Sequence, residues 1–179
     1  MQTDILRKQI KELRNSLDKN AVIKYSKIIT DKILTLKEIE NLNTFMIYKS
    51  FKNEVSTESL INLLLSLNKT VCYPVTNGEN IVIAKPLSSE FIKGNFGVLE
   101  PKEYEILDKV DVVFVPLIAC DKNKNRIGFG KGYYDRFLKN RNTLKIGVCY
   151  DFQVVDEITP NEWDVPLDLI ITEKQIIGV

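Results

Sequence analysis

A single three-layer α/β domain spanning residues 1–179, with helices on both faces of a largely parallel or mixed sheet, is the fold class this sequence predicts. Two observations carry the prediction. Short continuous apolar runs read as strands buried on both faces, and stretches of helical apolar periodicity alternate with them. The length fits one core, because a chain of 179 residues buries roughly 70% of the surface its unfolded form exposes.

In chain order, Leu6, Ile10, Leu13 and Leu17 recur at helical spacing and predict a first helix over residues 4–17, its cations on a separate stripe. Val22, Tyr25, Ile29, Ile33 and Leu36 repeat the pattern behind Asp18, a good N-cap residue, and give a second helix. Phe45-Met46-Ile47-Tyr48 is an apolar run of strand length. Ser56 is placed to cap a third helix carrying Leu60, Ile61, Leu64 and Leu67. Residues 71–75 and 81–84 predict two more strands. Residues 86–102 are rich in turn formers, an irregular segment suited to covering a ligand. Val112-Val113-Phe114-Val115, ended by Pro116, Ile146-Gly147-Val148-Cys149 and Leu169-Ile170-Ile171 complete the buried strands. Ligands of such sheets gather at the strands' carboxyl ends.

Composition removes several functions. The 25 basic and 24 acidic residues leave a net charge of +1, so no global field draws the chain to nucleic acid or anionic lipid. No apolar stretch approaches the ~20 residues that span a bilayer, and the first residues lack a signal-peptide profile. A soluble cytoplasmic protein is expected, a monomer or weak dimer without nucleic-acid or membrane partners. Cys72, Cys120 and Cys149, odd in number and far apart in sequence, read as reduced core thiols. The chain has no histidine, which excludes Ser-His and Cys-His catalysis and His-ligated zinc. Carboxylates, lysine, arginine, tyrosine, backbone amides or a hard cation must do the chemistry.

The most informative stretch is Arg126-Ile127-Gly128-Phe129-Gly130-Lys131-Gly132-Tyr133-Tyr134-Asp135-Arg136, which runs into a helix through Phe137 and Leu138. Alternate glycines let successive amides converge on an anion, and the following helix adds its positive end. Arg126 and Lys131 supply full charges, and Asp135 can hold magnesium directly or through water. These are the parts of a triphosphate site. Spaced glycines alone are more often a glycine-rich turn capped by a surface helix. The run is not a Walker loop, since Gly132 follows Lys131, nor a dinucleotide fingerprint. Arg7, Lys11 and Arg14 share a helical face, either solvated or turned together toward phosphates.

Residues 126–138 resemble the signature of the 5-formyltetrahydrofolate cyclo-ligase family. The basic first helix, residues 49–57, Gly97-Val98-Leu99-Glu100-Pro101 and residues 164–173 extend the resemblance over nearly the whole chain. It implies ATP-dependent closure of 5-formyltetrahydrofolate to 5,10-methenyltetrahydrofolate, with ATP as co-substrate and Mg2+ as cofactor. By the same resemblance Arg126, Ile127, Gly128, Phe129, Gly130, Lys131, Gly132, Tyr133 and Tyr134 wrap the nucleotide, with Lys131 and Arg126 near its phosphates. Thr3 and Arg7 contribute to the ATP site, although the family usually has lysine where this chain has Thr3. Asp135 and Asp164 serve the magnesium. Lys49 and Glu54 contact folate, Glu54 accepting hydrogen bonds from the pterin. One of Tyr133 and Tyr134 is expected to face the substrate; Tyr134 is assigned to both catalysis and folate contact. Tyr73 and Phe96 read as core residues able to stack on an aromatic ligand, and Trp163 stands where the family often has histidine. The rival readings are a non-catalytic folate or nucleotide binding protein and a related ATP-dependent enzyme with another substrate.

Overall fold

The structure is a computed structural model that describes residues 2–178. Its elements are α1 (Gln2–Asn15), α2 (Lys19–Leu34), β1 (Thr44–Met46), α3 (Glu58–Ser66), β2 (Thr70–Asn77), β3 (Asn80–Pro86), β4 (Phe91–Lys93), β5 (Leu99–Pro101), β6 (Tyr104–Leu107), β7 (Val112–Val115), β8 (Ala119–Cys120), β9 (Arg126–Ile127), α4 (Tyr133–Leu138), β10 (Leu144–Val148), β11 (Leu169–Ile171) and β12 (Ile176–Ile177). The main sheet runs β12-β11-β10-β7-β1-β2-β3-β6. Its middle, from β11 through β10, β7 and β1 to β2, is parallel. Antiparallel β12 closes one edge, β3 and β6 the other. The predicted fold class is borne out.

Side-chain alternation splits the core into two layers. Phe45, Ile47, Phe114 and Ile146 face α2 and α3, while Met46, Val113, Val115 and Ile170 face α4 through Phe137 and Leu138. All four residues of β7 are fully buried, which is why that run carries no polar position. A third cluster of Ile10, Ile118, Ala119, Ile127 and Ile158 seats α1 on the β8–β9 hairpin.

Several local expectations need correction. Leu13 is 53% exposed, whereas Arg14 on the same helix is buried, because α1 rests on the β8–β9 hairpin through Ile10 and on the Asn53 loop at its end rather than on the sheet. Asp18 does cap α2, accepting from the Ala21 amide at 2.8 Å. Ser56 does not cap α3. The helix starts after Thr57, whose hydroxyl donates to the Tyr48 carbonyl at 2.8 Å instead of capping, while the Ser56 amide donates to Ser26 Oγ at 2.8 Å. Residues 86–102 are not wholly irregular: β4 and β5 form a hairpin there, held to β2 by Glu100, which accepts from the Thr76 amide at 3.1 Å. Cys120 and Cys149, distant in sequence, meet with sulfurs 3.7 Å apart, and all three cysteines are free and buried. Among the described residues no helix is long and apolar enough to cross a membrane.

Candidate active site

The polar groups concentrate where β1, β7 and β10 end. From β7 the chain turns through Pro116, whose carbonyl accepts from Arg126 Nη1 at 3.3 Å. Arg126 Nη2 stands 3.1 Å from Asp135 Oδ1 with only 5% of the arginine side chain exposed. Its guanidinium also lies over the Tyr134 ring, 5.8 Å from the centroid. One strand residue thus fixes the first turn of α4.

The glycine run between them is shaped by two left-handed residues, Gly130 at φ +96° and Gly132 at φ +71°, conformations that a β-carbon would strain. Helix α1 closes over this loop. Arg7 Nε donates to the Gly128 carbonyl at 2.8 Å, and a β-carbon at Gly130 would lie 3.5 Å from the Arg7 guanidinium carbon. Lys11 adds its ammonium above the half-exposed Phe129 ring, 5.4 Å from its centroid. The Lys131 side chain is exposed. Arg7, Lys11, Arg126 and Lys131 therefore surround one loop with cations, the arrangement a polyphosphate requires. Helix α4 has only six residues, so backbone amides and side-chain cations contribute more here than its dipole does.

Not every residue of the run offers its side chain. Ile127 packs in the third core cluster and leaves only its backbone to a ligand. Tyr133 turns outward, donating to the Gly78 carbonyl at 3.2 Å beneath the Arg136 guanidinium. Tyr134 turns inward, where burial lifts its phenol well above the usual range against the opposing pull of Arg126. Thr3 is exposed on the first turn of α1.

Asp135 and Asp164 approach through the backbone. The Val165 amide, next to Asp164, donates to Asp135 Oδ1 at 3.1 Å, and Asp164 holds its own turn by accepting from the Asn161 amide at 2.9 Å. Asp135 Oδ2 receives no hydrogen bond from a described residue. Two hard carboxylates beside a phosphate loop suit magnesium, which usually takes one or two protein carboxylates together with substrate phosphates. Among the described residues no cluster of three acidic or thiol groups forms a closed metal cage. Trp163, beside Asp164, is 60% exposed.

The second half of the site lies past β1. Glu54 is 9% exposed and accepts from the Phe51 amide at 2.7 Å. Burial raises its carboxyl, with that amide and Arg14 opposing. Around it stand Tyr48, its phenol raised by burial and then by Glu54, and Tyr150, pushed up to about 12 by burial. Tyr150 donates to the Asn53 carbonyl at 2.9 Å, while the Asn53 amide holds the end of α1 by donating to the Arg14 carbonyl at 3.0 Å. Sequence reasoning missed Tyr48, Tyr150 and this use of Asn53. A signal existed for the tyrosines: Tyr48 ends one apolar strand run and Tyr150 follows another, each at the carboxyl end where such sheets bind ligands. Lys49 sits 4.1 Å from the centroid of Phe91 and 5.8 Å from that of Tyr73. Tyr73 is core, as expected. Phe96 is not: it is 65% exposed at φ +63° and meets Tyr133 edge-on at 6.3 Å, because its hairpin lies over the site rather than in a layer. The cations of α1 do not act together either, since Arg7 and Lys11 meet the glycine run and Arg14 the Glu54 side.

Comparison with known proteins identifies what this arrangement resembles. The model of the 5-formyltetrahydrofolate cyclo-ligase family matches residues 2–173. A 5-formyltetrahydrofolate cyclo-ligase from Haemophilus influenzae is 33% identical over 93% of this chain and 95% of its own length. One from Mycoplasma genitalium is 39% identical over 78% of this chain and 76% of its own. The solution structure of 5,10-methenyltetrahydrofolate synthetase from Aquifex aeolicus superposes with a TM-score of 0.89 at 33% identity, covering 99% of this chain and 92% of that one.

Proposed function

Because the chain belongs to the 5-formyltetrahydrofolate cyclo-ligase family, we propose that its two polar regions are the nucleotide and folate halves of one active site. The enzyme is an ATP-dependent ligase that closes 5-formyltetrahydrofolate to 5,10-methenyltetrahydrofolate. One observation supports the division of labour: Arg126 on the phosphate side lies over the Tyr134 ring, 5.8 Å from its centroid, while the buried Glu54 carboxylate, on a separate loop, adds to the burial that raises the same phenol. A group transferred between two substrates bound there would pass Tyr134.

The formyl group on N5 is an amide, and N10 cannot expel its oxygen unaided. Transfer of the γ-phosphoryl to the formyl oxygen breaks the bond to ADP and makes that oxygen a phosphate leaving group. Attack by N10 on the formyl carbon, with loss of the N10 proton and expulsion of phosphate, then yields the conjugated ring. No protein nucleophile is needed, which suits a chain without histidine. Arg7 and Arg126 would grip the phosphates, with the Gly128–Gly132 backbone and Thr3 nearby. Lys131 would follow the moving phosphoryl, and Tyr134 would line its path. Asp135 and Asp164 would hold Mg2+, whose charge offsets that of the phosphates when bound. Glu54 matches the paired donors of a pterin, and Lys49 reaches the same substrate. The reading implies a cytoplasmic monomer or weak dimer without nucleic-acid or membrane partners.

Mixing the protein with magnesium-ATP and 5-formyltetrahydrofolate tests the reading. Near-ultraviolet absorbance of the methenyl product should appear only with all components present. Its absence from folded protein overturns the assignment.

A further inference from the structure

The phosphate half of the site employs Arg7, Arg126 and Lys131 and leaves one buried cation without a task. Arg14, two turns beyond Arg7 on α1, is 7% exposed, with its Nε shut from solvent and lacking any acceptor. An N–H shut from water without an acceptor is costly. Arg126 Nε is also unpartnered, but its Nη atoms reach the Pro116 carbonyl and Asp135, whereas the Arg14 guanidinium makes no hydrogen bond among the described residues. The obvious partner is close but otherwise engaged: Glu54 Oε1 accepts from the Phe51 amide at 2.7 Å, and no ion pair joins Glu54 to Arg14 among the described residues. Asn53, the neighbour of Glu54, ties the two regions together: its side chain donates to the Arg14 carbonyl at 3.0 Å and its own carbonyl accepts from the Tyr150 hydroxyl at 2.9 Å, and the Arg14 charge opposes the burial that raises the Glu54 carboxyl. A buried cation and a buried carboxylate thus flank Asn53 without pairing with each other.

Resting on the formylfolate reading above, we propose that Arg14 is a substrate-binding residue that reads the pterin edge together with Glu54. That edge presents the 2-amino group, N3–H and the 4-oxo oxygen in a row, two donors followed by an acceptor. A carboxylate meets the two donors. Only a donor meets the third group, and a guanidinium offers several in a fixed fork. A neutral apolar ring would leave both charges unpaired, so the same pair selects against it.

Arg14→Met keeps the packing of the stem and removes the charge. At saturating magnesium-ATP its KM for 5-formyltetrahydrofolate should rise about 10–100-fold, the equivalent of one charge-assisted hydrogen bond. The KM for ATP should stay within about twofold, because the phosphate cations are elsewhere. The folate penalty should grow as pH is lowered. Without the cation the buried Glu54 takes up a proton more readily, and Tyr48, Tyr134 and Tyr150 remain neutral throughout. Arg14→Lys keeps the charge without the fork and should weaken folate by about 3–10-fold. A folate KM within twofold of the unmutated enzyme overturns the proposal, whether in Arg14→Met or, should that variant not fold, in Arg14→Lys. A loss shared equally by both substrates does the same, since that marks a structural arginine. Absence of turnover by the unmutated protein is a separate result and removes the formylfolate reading itself.

Discussion

Asp135 Oδ1 and Arg126 Nη2 stand 3.1 Å apart, with 19% and 5% of their side chains exposed, so the carboxylate proposed for magnesium also anchors the arginine proposed for phosphate. Asp135→Asn keeps the acceptor for the Val165 amide and removes the charge. Turnover should fall and half-maximal activity should need more magnesium. Loss of the ion pair should lower stability by up to about 3 kcal/mol, less than for a fully buried pair. Magnesium titrations at constant ATP, beside thermal melts, check both. Unchanged magnesium dependence would take Asp135 out of the metal site.

Glu54→Gln should weaken folate much more than ATP, by roughly 1.5–3 kcal/mol for a buried charged acceptor. The pH dependence follows from the carboxyl's direction of shift. Burial raises it, so the acceptor form is present above that raised value and is lost as pH falls through it, at a higher pH than for a surface glutamate. The folate KM of the unmutated enzyme should therefore climb on acidification. In Glu54→Gln, which cannot titrate there, the climb should vanish. A variant retaining the same climb would assign the titration to another group.

How far the sequence disclosed this site follows from what each residue depends on. The parallel strands were readable because Val112 to Val115 and their neighbours are apolar on both faces, a property of the residues themselves. The glycine run was readable for a similar reason, since its residue types are the chemistry. Arg14 was not. Its periodicity places it beside Arg7 and Lys11, but one helix face can meet two different neighbours along its length, and here the β8–β9 side gives way to the loop that carries Asn53 and Glu54. Thr57 shows the same limit at short range, because its hydroxyl is claimed by the Tyr48 carbonyl, a contact no local rule contains.

Arg7 joins α1 to the phosphate loop through Gly128 and also pairs with Asp4 at 2.6 Å. The two contacts should differ in worth. Asp4 is 77% exposed, and an exposed ion pair contributes about 0–1 kcal/mol. Arg7→Met should raise the KM for ATP about tenfold or more, the scale of a charged hydrogen bond, and leave the folate KM nearly unchanged. Asp4→Ala should alter neither. Equal effects from the two substitutions would mean that α1 merely packs against the loop.

Lys131 presents the sharpest test, because its side chain is exposed while its carbonyl is held, accepting from Arg136 Nη1 at 2.9 Å. The backbone fixes where the side chain starts, and the ammonium is left to move with the charge it serves. Lys131→Met keeps most of the length and removes that charge. If the ammonium acts on the phosphoryl group in flight, kcat should fall about 10²–10³-fold, the scale for losing one electrostatic donor in the transition state. The folate KM should move little, since Glu54 lies on a different loop. A solvated lysine would behave otherwise, shifting stability by no more than about 0.5 kcal/mol and leaving kcat alone. Steady-state kinetics at saturating ATP and formylfolate, on a variant shown by circular dichroism to be folded, separates the two. Near-normal kcat would remove Lys131 from the mechanism and leave charge stabilisation to Arg126, Arg7 and the magnesium ion.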